Sequence, residues 1–193
     1  MKGIPMTIIK LESKWAKAQK KSALRLLRKL NAELPSGGTC YVAGGATRDW
    51  HHNWGCRDLD IFYNVPDQPN WIPTSFKKIE FDTVYGYTGP YKNSYINSVA
   101  EYTCTTGNLQ YRTIQFINVD EDPLKIIKNF PISISRIWMG INGKIECDWA
   151  YAMSFKGKTI HEMNRDQWNH HYLQKIIGRF SDYAFVPHLW KQA

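Results

Sequence analysis

The first periodic stretch of the chain, residues 12–34, alternates between apolar side chains and lysines or arginines. The apolar positions are Ala16, Ala23, Leu26, Leu27, Leu30 and Leu34. Their spacing predicts a basic amphipathic helix, because residues three and four apart share one helical face. Pro35-Ser36-Gly37-Gly38 would end it. We expect the apolar face to pack on the domain and the cations to face water; an RNA-binding helix is the alternative.

The rest of the chain alternates short apolar runs with helical stretches and turn signals. Strands are predicted at 39–43, 58–63, 100–104, 109–119 and 144–150, the last of them ending near Asp148, and helices at 46–53, 120–130 and 167–183. Residues 132–139 fit either a strand or a buried helix. The strands at 100–104 and 109–119 would form a hairpin that turns at Thr106-Gly107-Asn108. An exposed loop is expected at 64–73, and a weakly ordered, Tyr-rich stretch at 79–100. The pattern predicts a mixed α+β fold.

Composition limits the class of protein. The chain has 193 residues, 43% of them hydrophobic, which is enough for one domain with a buried core and argues against disorder or a coiled coil. No run of about 18 apolar residues is present, and residues 1–10 lack the apolar core of a signal peptide. We therefore expect a single domain over 1–193, with no membrane span and a cytoplasmic location.

Charge and cysteine content add little about the fold. The net charge of +8 favours anionic partners such as nucleic acid or nucleotide phosphates, although a solubilising surface is the alternative explanation. The four cysteines show no C-x-x-C or zinc-finger spacing, so free thiols are expected.

The segment with recognisable chemistry is 41–63, YVAGGATRDWHHNWGCRDLDIFY. A strand that ends in Gly44-Gly45 and opens a helix presents backbone N–H groups to an anion, and glycine lets a phosphate approach closely. Arg48, in the first turn, adds a cationic fork. Such a corner is often only a tight turn, and this is the alternative to a phosphate site.

Two carboxylates follow on the next predicted strand. Asp58 and Asp60 leave the same face of that strand, whereas Leu59 and Ile61 face the buried side. Paired carboxylates suit Mg²⁺ or Mn²⁺, with phosphate oxygens and waters completing the shell. One solvated acid at a strand end is the alternative, but the combined pattern GG-x-x-R-D, eight residues, D-x-D favours nucleotidyl transfer.

At these residues the chain resembles the catalytic head of the DNA polymerase beta superfamily. The resemblance is to bacterial poly(A) polymerases and class II CCA-adding tRNA nucleotidyltransferases, and more specifically to small stand-alone nucleotidyltransferases of phages. It implies a nucleotidyltransferase fold in which a small mixed sheet is flanked by helices. It also implies that Gly44, Gly45 and Arg48 bind the triphosphate, and that Asp58 and Asp60 hold the catalytic metals. Asp49 would brace the loop or touch the nucleotide.

The resemblance is fainter downstream. Residues 130–135 fall where the family has R-D-F-T-I-N, and residues 143–148 parallel its G-K-L-I-D stretch, with Asp148 expected as a structural anchor. Lys175 and Arg179 share a face of the last predicted helix, which resembles the family's nucleotide-reading helix. Gln115 stands on a strand where many members of the superfamily place a third carboxylate. The neck, body and tail domains that grip tRNA have no counterpart in a chain of this length.

The resulting hypothesis is a metal-dependent transfer of a nucleoside monophosphate from an NTP, ATP included, to an acceptor hydroxyl. An RNA acceptor, tRNA-like in character, is preferred because of the charge and the basic helix; in a phage-encoded protein the location would be the host cytoplasm. A protein acceptor is one alternative, and a non-catalytic nucleotide-binding protein is another. His51-His52 and His170-His171 are expected to be solvated or packed, since adjacent helical side chains diverge by about 100°.

Overall fold

The computed structural model describes residues 6–66, 68, 71, 73, 95–103, 111–163 and 170–187. Its helices are α1 (Met6–Glu33), α2 (Gly45–His51), α3 (Pro123–Lys128), α4 (Trp149–Gly157) and α5 (His170–Arg179). Its strands are β1 (Thr39–Ala43), β2 (Asp58–Asn64), β3 (Ile96–Thr103), β4 (Thr113–Val119), β5 (Ile137–Met139), β6 (Ile145–Cys147), β7 (Thr159–His161) and β8 (Ala184–Val186). The α+β fold class predicted from sequence is confirmed.

Six strands form one mixed sheet in the order β3-β4-β2-β1-β5-β6. The pair β2 and β4 is parallel, and the other neighbours in this sheet are antiparallel. β1 and β2 lie side by side although α2 separates them in sequence, so the end of β1 and the start of β2 come together where α2 begins. The strands β7 and β8 form a separate parallel pair.

One face of the six-stranded sheet is covered by α1. Ala23, Leu27 and Leu30 of this helix are fully buried in the same cluster as Leu59 and Ile61 of β2. The regularly spaced apolar residues of α1 therefore form the face that packs on the sheet, as predicted from the sequence. Gln19 adds a polar link, since its amide nitrogen donates to the Cys56 carbonyl at 2.8 Å and its amide oxygen accepts from the Cys56 N–H at 2.9 Å.

The opposite face carries a second cluster around Phe62, Ile117 and Trp138, with Ile127 of α3 packed against it. Asp58 and Asp60 lie on this face, since they alternate with the buried Leu59 and Ile61. α3 begins after Asp122, whose carboxylate accepts the Leu124 N–H at 3.0 Å.

A third cluster joins the C-terminal elements. Tyr151 of α4, Ile160 of β7 and Ile176 of α5 are buried together with Phe180. The 3₁₀ turn Ser133–Ser135 contributes Ile134 to the same cluster.

Several predicted bounds were wrong. The first helix begins at Met6, ahead of residue 12, and 132–139 contains a 3₁₀ turn followed by β5. The strand predicted within 144–150, with its end near Asp148, spans Ile145–Cys147, because the Asp148 carboxylate accepts the Tyr151 N–H at 2.9 Å and starts α4. The sequence analysis missed α4, β7 and β8 altogether.

Some predictions fall on parts of the chain outside the described residues. These are the turn at Thr106-Gly107-Asn108, nearly all of the Tyr-rich stretch and the start of the last predicted helix. Of the described helices, none has the length and apolar character needed to cross a membrane.

Candidate functional site

The twin-glycine corner and the two aspartates lie next to each other in space. Ala43, just before the corner, is paired with Asp60 across β1 and β2. Gly44 has φ +70° and ψ −130°, and a Cβ built on it would lie 3.5 Å from Asp60 Oδ2. This backbone conformation favours glycine, so Gly44 allows the chain to turn from β1 into α2 directly beside the carboxylate.

Arg48 lies on the first turns of α2 and is almost completely buried, with 4% of its surface exposed. Its Nε donates to Asp49 Oδ1 at 3.2 Å, and its guanidinium carbon lies 5.2 Å from the centre of the Phe180 ring. Burial lowers the pKa of Arg48, but Tyr172 and Asp49 raise it by more, and the net pKa lies above the usual value. Arg48 Nη1 has no hydrogen-bond partner among the described residues.

The unpaired Nη1 of Arg48 indicates an anion-binding site. A buried guanidinium N–H without an acceptor is costly, whereas a phosphate oxygen placed there would satisfy it. The other terminal nitrogen, Arg48 Nη2, would lie 3.6 Å from a Cβ built on Gly45, so the guanidinium stands next to the glycine corner. The residues therefore fit the triphosphate group that the resemblance implies.

Asp49 joins α2 to the last helix. Its Oδ2 lies 2.8 Å from Arg179 Nη2, and its side chain is 4% exposed. Burial raises the pKa of Asp49, and the two arginines lower it by less, so the net pKa is above its usual value. The Arg179 guanidinium also stands 5.5 Å from the centre of the Trp54 ring. Asp49 thus links α2 to α5 through Arg179, and its two expected roles, bracing the loop or touching the nucleotide, stay predictions.

Asp58 is exposed, and Asp60, two residues on, is partly buried. Burial raises the pKa of Asp60 to about 6, and the nearby charge of Asp58 adds to this; Arg48 and Lys175 act in the opposite direction. Both side chains offer only oxygen donors, which are the ligands that Mg²⁺ and Mn²⁺ prefer. The pair fits a divalent cation, whose charge would relieve the repulsion between the carboxylates.

These residues line one cavity of about 910 Å³. The walls carry five cationic and three acidic side chains among the described residues. The cations are Arg48, Arg57, Arg112, Lys175 and Arg179, and the acids are Asp49, Asp58 and Asp60. Gly44 and Gly45 line the cavity as well. The eight residues singled out from the sequence therefore come together: Gly44, Gly45, Arg48, Asp49, Asp58, Asp60, Lys175 and Arg179. Their roles in binding and catalysis stay predictions.

The structure also locates the two downstream segments of the resemblance, residues 130–135 and 143–148. Phe130, Pro131 and Ser135 line the same cavity, and Ser135 Oγ lies 3.0 Å from the Tyr172 hydroxyl. Asp148 pairs with Arg136 at 3.5 Å and caps α4. Asp148 is therefore a structural anchor, as expected.

The histidine pair of α2 is packed rather than arranged around a metal. The Tyr151 hydroxyl lies 2.9 Å from His51 Nδ1, whereas His52 Nδ1 donates to the Arg48 carbonyl at 2.8 Å. His52 Nε2 lies 3.1 Å from the Tyr183 hydroxyl. Within the described parts of the chain, no group of three or more His, Cys, Asp or Glu side chains could hold a metal ion.

The sequence analysis missed three polar residues of this region. Arg57 and Arg112 are exposed neighbours at the edge of the cavity, joined by a backbone hydrogen bond of 2.7 Å. Glu101 of β3 accepts a hydrogen bond of 2.5 Å from Gln115 Nε2. Arg57 directly precedes Asp58 in the sequence and could have been singled out. Arg112 and Glu101 reach the carboxylates only through the parallel pairing of β2 with β4 and the register of β3, which could not be derived from local pattern.

The fold is similar to that of CCA-adding enzymes. The Thermotoga maritima CCA-adding enzyme complexed with tRNA aligns with a TM-score of 0.62 at 16% identity over 86% of this chain. A CCA-adding enzyme with CTP aligns with a TM-score of 0.58 at 16% identity, also over 86% of the chain. The Bacillus stearothermophilus CCA-adding enzyme in complex with CTP gives 0.55 at 15% identity over 87%.

This chain spans only 38–41% of the length of those structures. No protein-family profile matches the sequence, and no curated protein does. The resemblance to nucleotidyltransferases drawn from the sequence is therefore confirmed at the level of the fold.

Proposed function

We propose that this protein transfers a nucleoside monophosphate from a nucleoside triphosphate to an acceptor hydroxyl and releases pyrophosphate. The observation that carries the proposal is the buried Arg48 guanidinium: its Nη1 has no hydrogen-bond partner among the described residues, and its Nη2 lies next to Gly45, in the corner that Asp60 also adjoins. A polyanion site next to paired carboxylates is the arrangement that nucleotidyl transfer needs. The confirmed fold supports the same reaction class.

The chain's own residues hold the triphosphate in this proposal. Arg48 Nη1 donates to a phosphate oxygen, and the backbone at Gly44 and Gly45 lets the phosphates approach without obstruction by a Cβ. Lys175 and Arg179 of α5 supply further positive charge to the cavity. Held by these groups, the leaving pyrophosphate can be kept in line with the attacking hydroxyl.

Asp58 and Asp60 would hold Mg²⁺ or Mn²⁺. When bound, the metal ions supply charge neutralisation on the triphosphate and a lower pKa for the acceptor hydroxyl. Asp58 is exposed, so its carboxylate is accessible from the cavity, whereas the carboxylate of Asp60 lies beside Gly44.

We propose RNA as the acceptor, but on different grounds from those in the sequence. The cationic helix α1 covers the sheet face opposite to Asp58 and Asp60, so its charge is not directed into the cavity. The exposed Arg57 and Arg112 stand beside Asp58 at the cavity edge, where phosphates of an acceptor strand would pass. We propose in addition that residues 1–193 act as one domain, since α5 is tied to the corner through Asp49 and Arg179.

The test is a transfer assay with each α-labelled NTP, Mg²⁺ or Mn²⁺, and either RNA or cell lysate. We expect label on RNA with wild-type protein and none with Asp58→Asn combined with Asp60→Asn. Asp120→Asn, an exposed aspartate just after β4, is the matched control and should retain full transfer. A double variant as active as the wild type would refute the proposal.

The same assay separates the other hypotheses. Label on a protein band would indicate a protein acceptor. Absence of label together with NTP binding that persists in EDTA would indicate a non-catalytic nucleotide-binding protein.

A further inference from the structure

Gln115 lies between an acidic side chain and the proposed metal ligands. The strand register places Gln115 of β4 opposite Asp60 of β2 on one side and opposite Glu101 of β3 on the other. Residues directly opposite one another on neighbouring strands point to the same sheet face, and such strands lie about 4.8 Å apart. The three side chains therefore form a row across three strands.

The hydrogen bond between Gln115 and Glu101 fixes the orientation of the amide. Gln115 Nε2 donates to Glu101 Oε2 at 2.5 Å. A carboxylate can only accept, so the amide nitrogen must face Glu101. The amide oxygen takes no part in this hydrogen bond, so it is the atom of the amide left for a ligand in the cavity. Gln115 lines the cavity together with Asp58 and Asp60.

We propose that the Gln115 amide oxygen is a third ligand of the metal bound by Asp58 and Asp60, and that Glu101 is a positioning residue that holds this oxygen in place. The inference rests on the proposed function and deepens it. An amide oxygen is a hard donor that suits Mg²⁺ and Mn²⁺, and it adds no negative charge to a pair of carboxylates that already repel each other. In this proposal the neutral Gln115 side chain takes the place on β4 where many members of the superfamily have a third carboxylate. Its acidic partner, Glu101, lies on the neighbouring strand away from Asp60.

The hydrogen bond between Gln115 and Glu101 also gives a reason for the acidic residue Glu101 on β3. Alone on an edge strand, Glu101 would add only repulsion to Asp58 and Asp60. Bonded to the Gln115 amide, it selects one of the two amide orientations. Partners that orient a metal ligand in this way are typically worth 10- to 100-fold in metal affinity.

The test measures Mn²⁺ affinity directly, by the electron paramagnetic resonance signal of free Mn²⁺, without substrate or turnover. We expect Glu101→Gln to weaken Mn²⁺ binding about 10-fold, since two amides leave the orientation of Gln115 undefined, and Gln115→Leu to weaken it by about 10-fold or more. The exchange variant, Glu101→Gln with Gln115→Glu, reverses the hydrogen bond and turns a carboxylate towards Asp60. It should bind Mn²⁺ at least as tightly as the wild type.

Glu146→Gln is the matched control. Glu146 lies on β6, at the other edge of the sheet, and accepts a hydrogen bond from Trp138 Nε1 at 3.2 Å that a glutamine oxygen can also accept. It should leave Mn²⁺ affinity unchanged. Thermal unfolding of each variant confirms that the fold is retained, and the exchange variant covers the case in which Gln115→Leu does not fold.

The possible outcomes distinguish this inference from the proposed function. If Glu101→Gln and Gln115→Leu bind Mn²⁺ within twofold of wild type, while Asp58→Asn with Asp60→Asn does not bind it, the inference is overturned and the proposed function stands. If the wild type itself does not bind Mn²⁺, with or without NTP, both are overturned. Weaker binding by the single variants and recovery in the exchange variant support the inference.

Discussion

Gly44 shows how one residue sets the geometry of the corner. At φ +70° and ψ −130° any other residue carries backbone strain, on the order of 1–3 kcal/mol. The space around it is less restrictive, because the nearest atom to a Cβ, Asp60 Oδ2, would be at ordinary contact distance, 3.5 Å. The requirement for glycine is therefore conformational rather than steric.

We expect Gly44→Ala to lower the free energy of unfolding by about 1–3 kcal/mol, measured by urea denaturation. Gly178→Ala is the matched control. Gly178 is an exposed residue within α5, and a Cβ there would have no atom within 4 Å. Alanine should raise stability there by about 0.5–1 kcal/mol. Equal effects of the two substitutions would contradict the role assigned to the backbone of Gly44.

Residue identity could be predicted well where the chemistry is local. The glycine corner, Arg48 and the two aspartates belong to one strand–helix–strand segment, so their spacing already determines which side chains share a face. Glu101 could not be found in this way. Its relation to Asp60 depends on β4 lying between β3 and β2, a pairing between segments far apart in sequence.

At the scale of elements, α5 is held against α2 by the Asp49–Arg179 pair. The two partners are unequal: Asp49 is 4% exposed and also pairs with the buried Arg48, whereas Arg179 is 36% exposed. Removing the carboxylate leaves two guanidinium groups close together, one of them buried. Removing Arg179 leaves Asp49 with its other partner.

We therefore expect Asp49→Asn to cost about 3 kcal/mol in unfolding free energy and Arg179→Met about 1 kcal/mol. A double-mutant cycle measured by urea denaturation should give a positive coupling between them. The exposed pair Lys158–Asp182, at 2.9 Å, provides the comparison and should show no measurable coupling. Coupling of equal size in the two cycles would argue against a bracing role for Asp49.

His52 connects α2 to the segment after α5 and makes stability depend on pH. Burial lowers the pKa of His52; the hydrogen bond to the Arg48 carbonyl and the charges of Asp49 and Asp182 raise it by less, and Arg48 lowers it further. Because the folded pKa lies below the unfolded value of 6.5, the unfolded chain takes up the proton first. The contribution to stability is present above pH 6.5 and is lost as the pH falls from that value through the lower pKa of the folded protein.

We expect the loss of unfolding free energy between pH 7.5 and 5 to be smaller in His52→Asn than in wild type, since asparagine keeps a donor for the Arg48 carbonyl but does not titrate. Asp60 titrates in the same range with the opposite sign, because its folded pKa is raised to about 6. The measurement is therefore the difference between variant and wild type at each pH. Parallel pH profiles would contradict the prediction.

Element types were predicted better than element ends. The α1 periodicity and the β1–α2–β2 segment were clear in the sequence, because each has its own regular spacing and turn residues. The strand predicted to end near Asp148 does end there, at Cys147, but the same aspartate is the cap of α4, a helix that was not predicted. The short β7 and β8 have only three residues each, too few for a period to show.

For the whole molecule, the sheet separates two cationic surfaces. The exposed Lys17 and Lys21 of α1 lie behind the sheet, whereas Arg57 and Arg112 border the cavity. The net charge of the chain does not show which of these two surfaces carries it. The preference for an RNA acceptor drawn from the sequence therefore relied partly on the lysines and arginines of α1. Only the packing of α1 reveals that its lysines lie on the side away from the carboxylates.

If RNA enters the cavity, its affinity should fall steeply with salt, and Arg57→Gln with Arg112→Gln should make that dependence shallower. We expect the slope of log K against log salt concentration to decrease by about 0.7 for each phosphate that the variant no longer neutralises. Lys17→Gln with Lys21→Gln removes the same charge from α1 and should leave the slope unchanged. Fluorescence anisotropy of a labelled RNA gives both slopes; the reverse result would place the RNA on α1.

The continuity of β1, α2 and β2 has a consequence for how such a protein can diversify. The groups proposed to handle the triphosphate and the metal come mostly from one unbroken stretch of chain, whereas Arg57 and Arg112 lie at its margin and beyond it. If the proposed function holds, substitutions outside that stretch would therefore change the acceptor while leaving the reaction itself unaltered. Grafting the edge of the cavity from a relative, with the stretch left untouched, is the natural route to an altered target.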